Sequence, residues 1–209
     1  MTGKVYPMRI NSLLPIEVSA FYILGRLHAA DIQPICEHWM EEGLGKDEVA
    51  CLAFEPCLDL WHSKRDIEDA ITEVIGDLTL SRLEATWIVF RYYIAELLET
   101  ENDLNARLGT LINLTYENHP ALFERDDPKY AASEYGIERL LGIYYSRDHL
   151  PDWPSRASVW SSSLGAEFER FKEEVDAEAK IVLARFFSSD SELPENLKRV
   201  QRLVETHSQ

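Results

Sequence analysis

Carboxylates are the side chains whose type and spacing point most clearly to a chemistry. Between Glu41 and Asp77 eleven acids are opposed by only three bases, so this segment carries a net charge of −8, half of the formal −16 of the whole protein. A concentrated field of one sign attracts cationic surfaces and repels nucleic acid and anionic membranes. The charge therefore predicts a basic protein partner, no nucleic acid and no membrane.

Part of this charge falls on one face of a predicted helix. Ser63 and Asp66 have the spacing of a capping box, which predicts a helix from there to about Asp77. Four acids lie within about 80° of one another at 100° per residue, and the apolar side chains lie opposite them. We call these four acids the acidic ridge: Asp66, Asp69, Glu73 and Asp77. The ridge is either a solvated helix face or a surface that binds a basic partner, and the repulsion between its like charges favours the second interpretation.

The predicted partner-binding surface extends beyond the ridge to nearby acids and one aromatic ring. Its additional members are Asp47, Glu48, Asp59 and Trp61. Carboxylates steer a cationic protein to such a surface at a high rate, and a ring such as that of Trp61 slows its dissociation. We therefore expect the ridge to work together with an apolar contact.

A second candidate surface lies in the segment from Ser146 to Ser163, which prolines and serines mark as a loop or linker. Aromatic and arginine side chains of the kinds that dominate binding hot spots occur in and beside it. The candidates for this secondary partner-binding surface are Tyr145, Arg147, Trp153 and Trp160. The alternative interpretation is that the rings close the core over the loop.

Catalytic signatures are missing from the sequence. It contains no P-loop, dinucleotide-binding, serine-hydrolase or zinc-protease pattern and no CxxC pair. Five side chains offer soft zinc ligands: Cys36, His38, Cys51, Cys57 and His62. Their spacing matches no zinc knuckle or ribbon, and so acidic a region disfavours thiolates. We therefore expect no catalytic residues, no metal and no cofactor, and a metal-dependent helical enzyme is only the third functional alternative.

Most of these residues lie in segments that are predicted to be helical. Helical periodicity recurs along almost the whole chain, while alternating strand patterns are rare. Ser81 and Glu84 form a second capping box before a helix that reaches about Glu99 and is apolar on nearly every side, as at the centre of a bundle. The prediction is an all-α, single-domain multi-helix bundle of about eight to nine helices. Residues 1–163 are expected to form the main bundle, and residues 164–209 a C-terminal helix pair packed on the same domain.

Size and composition are typical of a folded protein in a reducing compartment. The 209 residues are 45% hydrophobic, which is enough for a substantial core. The three cysteines are an odd number and too few for a disulfide scaffold. No segment approaches the roughly 20 consecutive apolar residues of a membrane span. A cytoplasmic location is the simplest expectation.

An acidic helical chain of 209 residues with no catalytic motif resembles bacterial immunity proteins, which neutralise toxins delivered by neighbouring cells. The resemblance rests on size, acidity and the acidic ridge. It implies an inhibitor that occludes the active surface of a basic toxin and whose binding weakens steeply with salt. The alternative is a helical adaptor or scaffold subunit of an intracellular complex, bound through Trp153 and Trp160 with little dependence on salt.

Overall fold

The described part of the chain consists of helices joined by turns and short connections. A computed structural model describes residues 13–99, 104–118, 137–145, 162–187 and 195–207, and no strand occurs among them. The helices in these ranges are α1 (Pro15–Ile23), α2 (Ala29–Glu41), α3 (Asp47–Phe54), α4 (Lys64–Ile75), α5 (Arg82–Glu99), α6 (Leu104–Asn118), α7 (Glu138–Tyr145), α8 (Ser162–Phe187) and α9 (Glu195–His207). The predicted all-α multi-helix fold is confirmed.

The described residues belong to two compact units. The N-terminal unit contains α1 to α4, α5 as far as Val89, and α9 from Lys198. The central unit contains α5 from Phe90, α6, α7, α8, and α9 as far as Leu197. The division therefore falls within two helices, whereas the predicted boundary lies between residues 163 and 164.

Helix α3 is central to the packing of the N-terminal unit. It packs on α2 and on α4, and α4 packs in turn on α1. The inward side chains of these helices are almost inaccessible to solvent: Ile16, Phe21, Ile35, Trp39, Val49 and Ile67. Burial of one aliphatic or phenyl side chain stabilises a fold by roughly 1.5–3 kcal/mol. The four helices therefore share a hydrophobic core within this unit.

Helix α4 is shorter than predicted and begins without the predicted cap. Ser63 stands at its N-cap but makes no side-chain capping hydrogen bond, so the predicted box with Asp66 is wrong. Gly76 has a φ of 72°, a left-handed conformation that glycine adopts without steric cost, and the helix ends before it at Ile75. Asp77 therefore lies beyond the helix rather than on its face.

The start of α5 confirms the second predicted capping box. The Ser81 backbone N–H donates to Glu84 Oε2 at 2.8 Å, and the Glu84 N–H donates to Ser81 Oγ at 3.2 Å. The other carboxylate oxygen, Oε1, accepts a hydrogen bond from Arg199 of α9 at 2.6 Å. Arg199 also donates to the carbonyl of Thr79 at 3.0 Å. One buried carboxylate thus joins the start of α5 to α9 within the N-terminal unit.

The middle of α5 is buried on every side, as its sequence predicts. Six consecutive side chains have little or no access to solvent: Ala85, Thr86, Trp87, Ile88, Val89 and Phe90. A helix on the surface of a protein keeps one side in water, and these six residues cover more than one full turn. This part of α5 therefore lies in the interior.

Helix α7 is central to the packing of the central unit. It packs on α6 and on α8. The inner face of α8 follows steps of three and four residues, with these side chains buried: Phe168, Phe171, Val175, Ala179 and Val182. Arg107 of α6 forms an ion pair with Glu96 of α5, and both side chains are largely buried. The described part of this unit therefore combines an apolar core with a largely buried ion pair.

A helix that crosses a membrane needs about 20 predominantly apolar residues. No described helix is both long and apolar enough to cross a membrane.

Truncation of Trp87 tests the interior position of α5. We expect Trp87→Ala to lower the free energy of unfolding by about 3–5 kcal/mol, because it leaves a cavity among buried neighbours. The matched control is Trp61→Ala: Trp61 is 83% exposed, and its loss should change stability by less than about 0.5 kcal/mol. Urea unfolding followed by circular dichroism measures both variants. Equal effects of the two substitutions would contradict the burial of α5.

The Glu84 carboxylate couples the stability of the fold to pH. Burial alone would raise the pKa of Glu84, but the hydrogen bonds from Ser81 and the charge of Arg199 outweigh it and hold that pKa below its usual value. A carboxyl whose pKa is lowered by folding stabilises the fold above its unfolded pKa of about 4.3. This contribution is lost as the pH falls through the folded pKa.

The variant Glu84→Gln tests this coupling. We expect it to lower the free energy of unfolding by about 1–3 kcal/mol at pH 7, because a buried charged acceptor is removed, and by progressively less below about pH 4. Urea unfolding across this pH range measures the difference. Glu167→Gln, at an exposed position of α8, serves as the control and should have little effect at any pH. A cost of Glu84→Gln that does not change with pH would contradict the coupling.

Candidate protein-binding surface

Helices α3 and α4 form an antiparallel hairpin that a side chain closes at one end. Lys46 stands at the N-cap of α3 and makes no side-chain capping hydrogen bond. Glu73, near the end of α4, supplies the missing acceptor, because its Oε2 atom accepts the backbone N–H groups of Glu48 at 2.9 Å and Val49 at 3.0 Å. A carboxylate at this position satisfies two free helix donors and opposes the positive end of the helix dipole. Glu73 therefore holds the two helices together.

Two neighbouring helices anchor the other end of the hairpin. Gln33 of α2 donates through Nε2 to the carbonyl of Ala53, in the last turn of α3, at 3.2 Å. Tyr22 of α1 donates to the carbonyl of Lys64, the first residue of α4, at 3.3 Å. These bonds lie on either side of the connection formed by residues 55–63. The connection therefore starts and ends on anchored helices.

A side-chain turn orders the middle of the connection. Asp59 accepts the backbone N–H of His62 at 2.8 Å, and its carboxylate also contacts the imidazole Nδ1 of the same residue. These hydrogen bonds hold the pKa of Asp59 below its usual value. Leu60 and Trp61 lie between the two partners in the chain. Asp59, a predicted partner-binding acid, therefore has a structural role in presenting them.

Three large apolar side chains in and beside the connection lie in water. Phe54 is 81% exposed, Leu58 is 87% exposed and Trp61 is 83% exposed. We call them the apolar trio. Single exposed apolar residues are common, but three of this size within eight consecutive residues indicate an interaction site, and Trp is a residue type enriched in binding hot spots. Trp61 of the predicted surface is thus joined by Phe54 and Leu58, which the sequence did not single out.

Trp61 also borders an open groove of about 540 Å³ in the N-terminal unit. We call it the Trp61 groove. Its lining residues are Tyr22, Ile23, Gly25, Leu27, Leu60, Trp61, Lys64 and Glu68. Burial, followed by the negative charge of Glu68, raises the pKa of Tyr22 to about 12. The groove therefore combines apolar walls with an exposed ring and a carboxylate.

The structure divides the acidic ridge. Asp66 and Asp69 are exposed on α4, where Asp69 pairs with Arg65 at 3.6 Å. Glu73 is partly buried and bonded to the backbone of α3, so its predicted position on a solvated face is wrong. Asp77 is exposed but lies beyond the end of the helix. Only Asp66 and Asp69 therefore occupy the predicted exposed face.

The remaining predicted acids lie at the start of α3. Asp47 and Glu48 are exposed in its first turn. Acids in a first turn interact favourably with the helix dipole, so these two charges stabilise α3 while they contribute to the field of the surface.

The second candidate surface lies mostly outside the described residues, since Arg147, Trp153 and Trp160 are not among them. Tyr145, the last residue of α7, is exposed, and its ring packs edge-on against Tyr144 with the centroids 5.4 Å apart. A role for this surface in binding stays a prediction.

The soft ligands of the cysteine-containing region do not converge. Cys36 is buried and Cys51 is exposed, and within the described ranges no group of three or more His, Cys, Asp or Glu side chains is placed to hold a metal ion. Burial raises the pKa of Cys36 to about 12, so this thiol is protonated at neutral pH and is a poor nucleophile.

Comparison with known proteins gives no relative from which a function could be carried over. No protein-family model, no curated protein and no solved structure matches the chain. The surface of the N-terminal unit therefore supplies the evidence for function.

Substitution of Glu73 tests its role in the hairpin. We expect Glu73→Ala to lower the free energy of unfolding by about 1–2 kcal/mol, because two backbone donors of α3 lose their acceptor. Asp69→Ala removes the same charge from an exposed position of the same helix and should cost less than about 0.5 kcal/mol. Urea unfolding measures both variants. If Asp69→Ala cost as much as Glu73→Ala, the cap would have no special contribution.

Proposed function

We propose that this protein binds a basic protein partner through the apolar trio and the acids of the same segment. We further propose that it acts as an immunity protein, which neutralises a basic toxin by covering the active surface of that toxin. The observation that carries the proposal is the exposure of three large apolar side chains in the most acidic part of the chain.

The two kinds of side chain support different steps of binding. Carboxylates such as those of Asp66 and Asp69 attract a cationic surface over about one Debye length and raise the association rate. Removal of the apolar trio from water favours the bound state by about 25 cal/mol per Å² of apolar surface and slows dissociation. An inhibitor that must reach a toxin quickly and stay bound needs both effects.

The charge favours a basic partner over a second copy of the chain. Two copies that met through the segment from Glu41 to Asp77 would bring together two surfaces that each carry a net charge of −8. Like charges placed opposite one another cost free energy, whereas a basic protein gains from the same field. A toxin that acts on nucleic acid needs a basic surface, and a protein bound there would exclude its substrate.

The proposed mechanism is occlusion, which requires no catalytic residue, metal or cofactor of the inhibitor. We also propose a cytoplasmic location, where a delivered nuclease would meet its substrate. The three cysteines are free, which is consistent with that compartment.

Capture from the native cell tests the proposal. The tagged protein is incubated with lysate and washed at ionic strengths of about 0.1 M and about 1 M, where the Debye length is about 10 Å and about 3 Å. We expect the wild type to retain a single basic protein at low salt and to release it at high salt. The double variant Asp66→Lys/Asp69→Lys should fail to capture it at either salt concentration, because the exposed charge of α4 is reversed.

The matched control for this experiment is Glu167→Lys/Glu173→Lys, which makes the same change of net charge at exposed positions of α8. It should capture the partner as the wild type does. Equal loss from both double variants would show that net charge alone governs binding. A set of several proteins retained at high salt would support the adaptor alternative instead.

Expression of the captured protein, alone and together with the wild type, tests the proposed inhibition. Growth arrest that co-expression relieves supports an immunity protein. A captured protein that is not toxic on its own contradicts that role.

A further inference from the structure

The Trp61 groove combines apolar side chains with a carboxylate, so net charge alone does not determine which side chain it would bind. Ile23, Leu27 and Leu60 give it apolar walls, whereas Trp61 adds an exposed ring and Glu68 a carboxylate. A long side chain that satisfies all three features has an apolar stem and a cationic, planar tip.

We infer that the Trp61 groove receives an arginine side chain of the basic partner, an inference that rests on the proposed function. The stem lies along the apolar walls, while the guanidinium stacks on Trp61 and pairs with Glu68. Arginine combines stacking on an indole ring with hydrogen bonding to a carboxylate, because its guanidinium is planar and presents several donors in one plane. The more compact and more strongly hydrated ammonium of lysine matches the site less well.

A resident cation marks where positive charge is favoured in the groove. The Lys64 ammonium lies 3.7 Å from the Glu68 carboxylate, and both side chains are at least half exposed. An exposed ion pair between residues four apart contributes little to stability, so an incoming guanidinium displaces the ammonium at small cost.

Apolar and anionic side chains are less favourable occupants of the groove. A purely apolar side chain would displace water from the Glu68 carboxylate without replacing the hydrogen bonds that this water makes. Burial of a charged group without such partners costs free energy. An anionic group would be repelled by the same carboxylate and by the acidic segment around it in the chain.

Arginine and lysine peptides of equal charge distinguish recognition of arginine in the groove from general attraction of cations. The full-length protein is titrated with hexaarginine and with hexalysine in an isothermal titration calorimeter. We expect the wild type to bind hexaarginine about two- to fivefold more tightly than hexalysine, which is the size of a cation–π contact at an exposed site. Trp61→Ala and Glu68→Gln should each bring this ratio close to one. Both positions are exposed, so both variants should fold.

The control variant Asp66→Asn/Asp69→Asn should weaken the binding of both peptides by the same factor and preserve the ratio. Equal affinity of the wild type for the two peptides, or a ratio that Trp61→Ala leaves unchanged, would overturn the inference. Tighter binding of a peptide with alternating lysine and leucine than of hexaarginine would also overturn it, in favour of an apolar occupant. An arginine preference in a protein that captures no basic protein from cells would support the chemistry of the groove and reject the proposed function.

Discussion

The proposed binding surface depends on one constraint: the first turn of α3 has no side-chain cap of its own and must find an acceptor elsewhere. Glu73 of α4 supplies that acceptor and fixes the two helices side by side. Side chains of α1 and α2 anchor the ends of the connection between them, and Asp59 orders its middle. An ordered connection holds the apolar trio in water at a defined position, so less conformational entropy is lost when a partner binds.

The negative charge of this region has two roles. Glu73 and Asp59 accept backbone N–H groups, so their charge is used within the fold. Asp47 lies where a first-turn acid stabilises a helix. Asp66 and Asp69 remain exposed on α4, and their mutual repulsion is reduced because neighbouring bases pair with acids of the same helix. The surface proposed to attract a cationic protein therefore carries exposed negative charge with little loss of stability.

The helices could be predicted from the sequence because periodicity and capping are local properties of the chain. The buried position of α5 and the cap formed by Ser81 and Glu84 are confirmed for that reason. The role of Glu73 could not be predicted, since its partners lie 24 and 25 residues away in the sequence. The exposure of Phe54 and Leu58 could not be predicted either, because periodicity identifies an apolar residue without showing whether another element covers it. Asp77 was predicted to lie on the face of α4, but Gly76 adopts a positive φ and ends the helix before it.

Hydrogen–deuterium exchange of the isolated protein and of its complex with the captured protein tests most directly whether a basic partner covers the connection of residues 55–63. We expect slower exchange of the backbone amides of this connection and of the first turn of α4 in the complex. Exchange along α8 should be the same in both samples. Protection confined to α8 or to the segment around Tyr145, with the connection unchanged, would contradict binding at the connection.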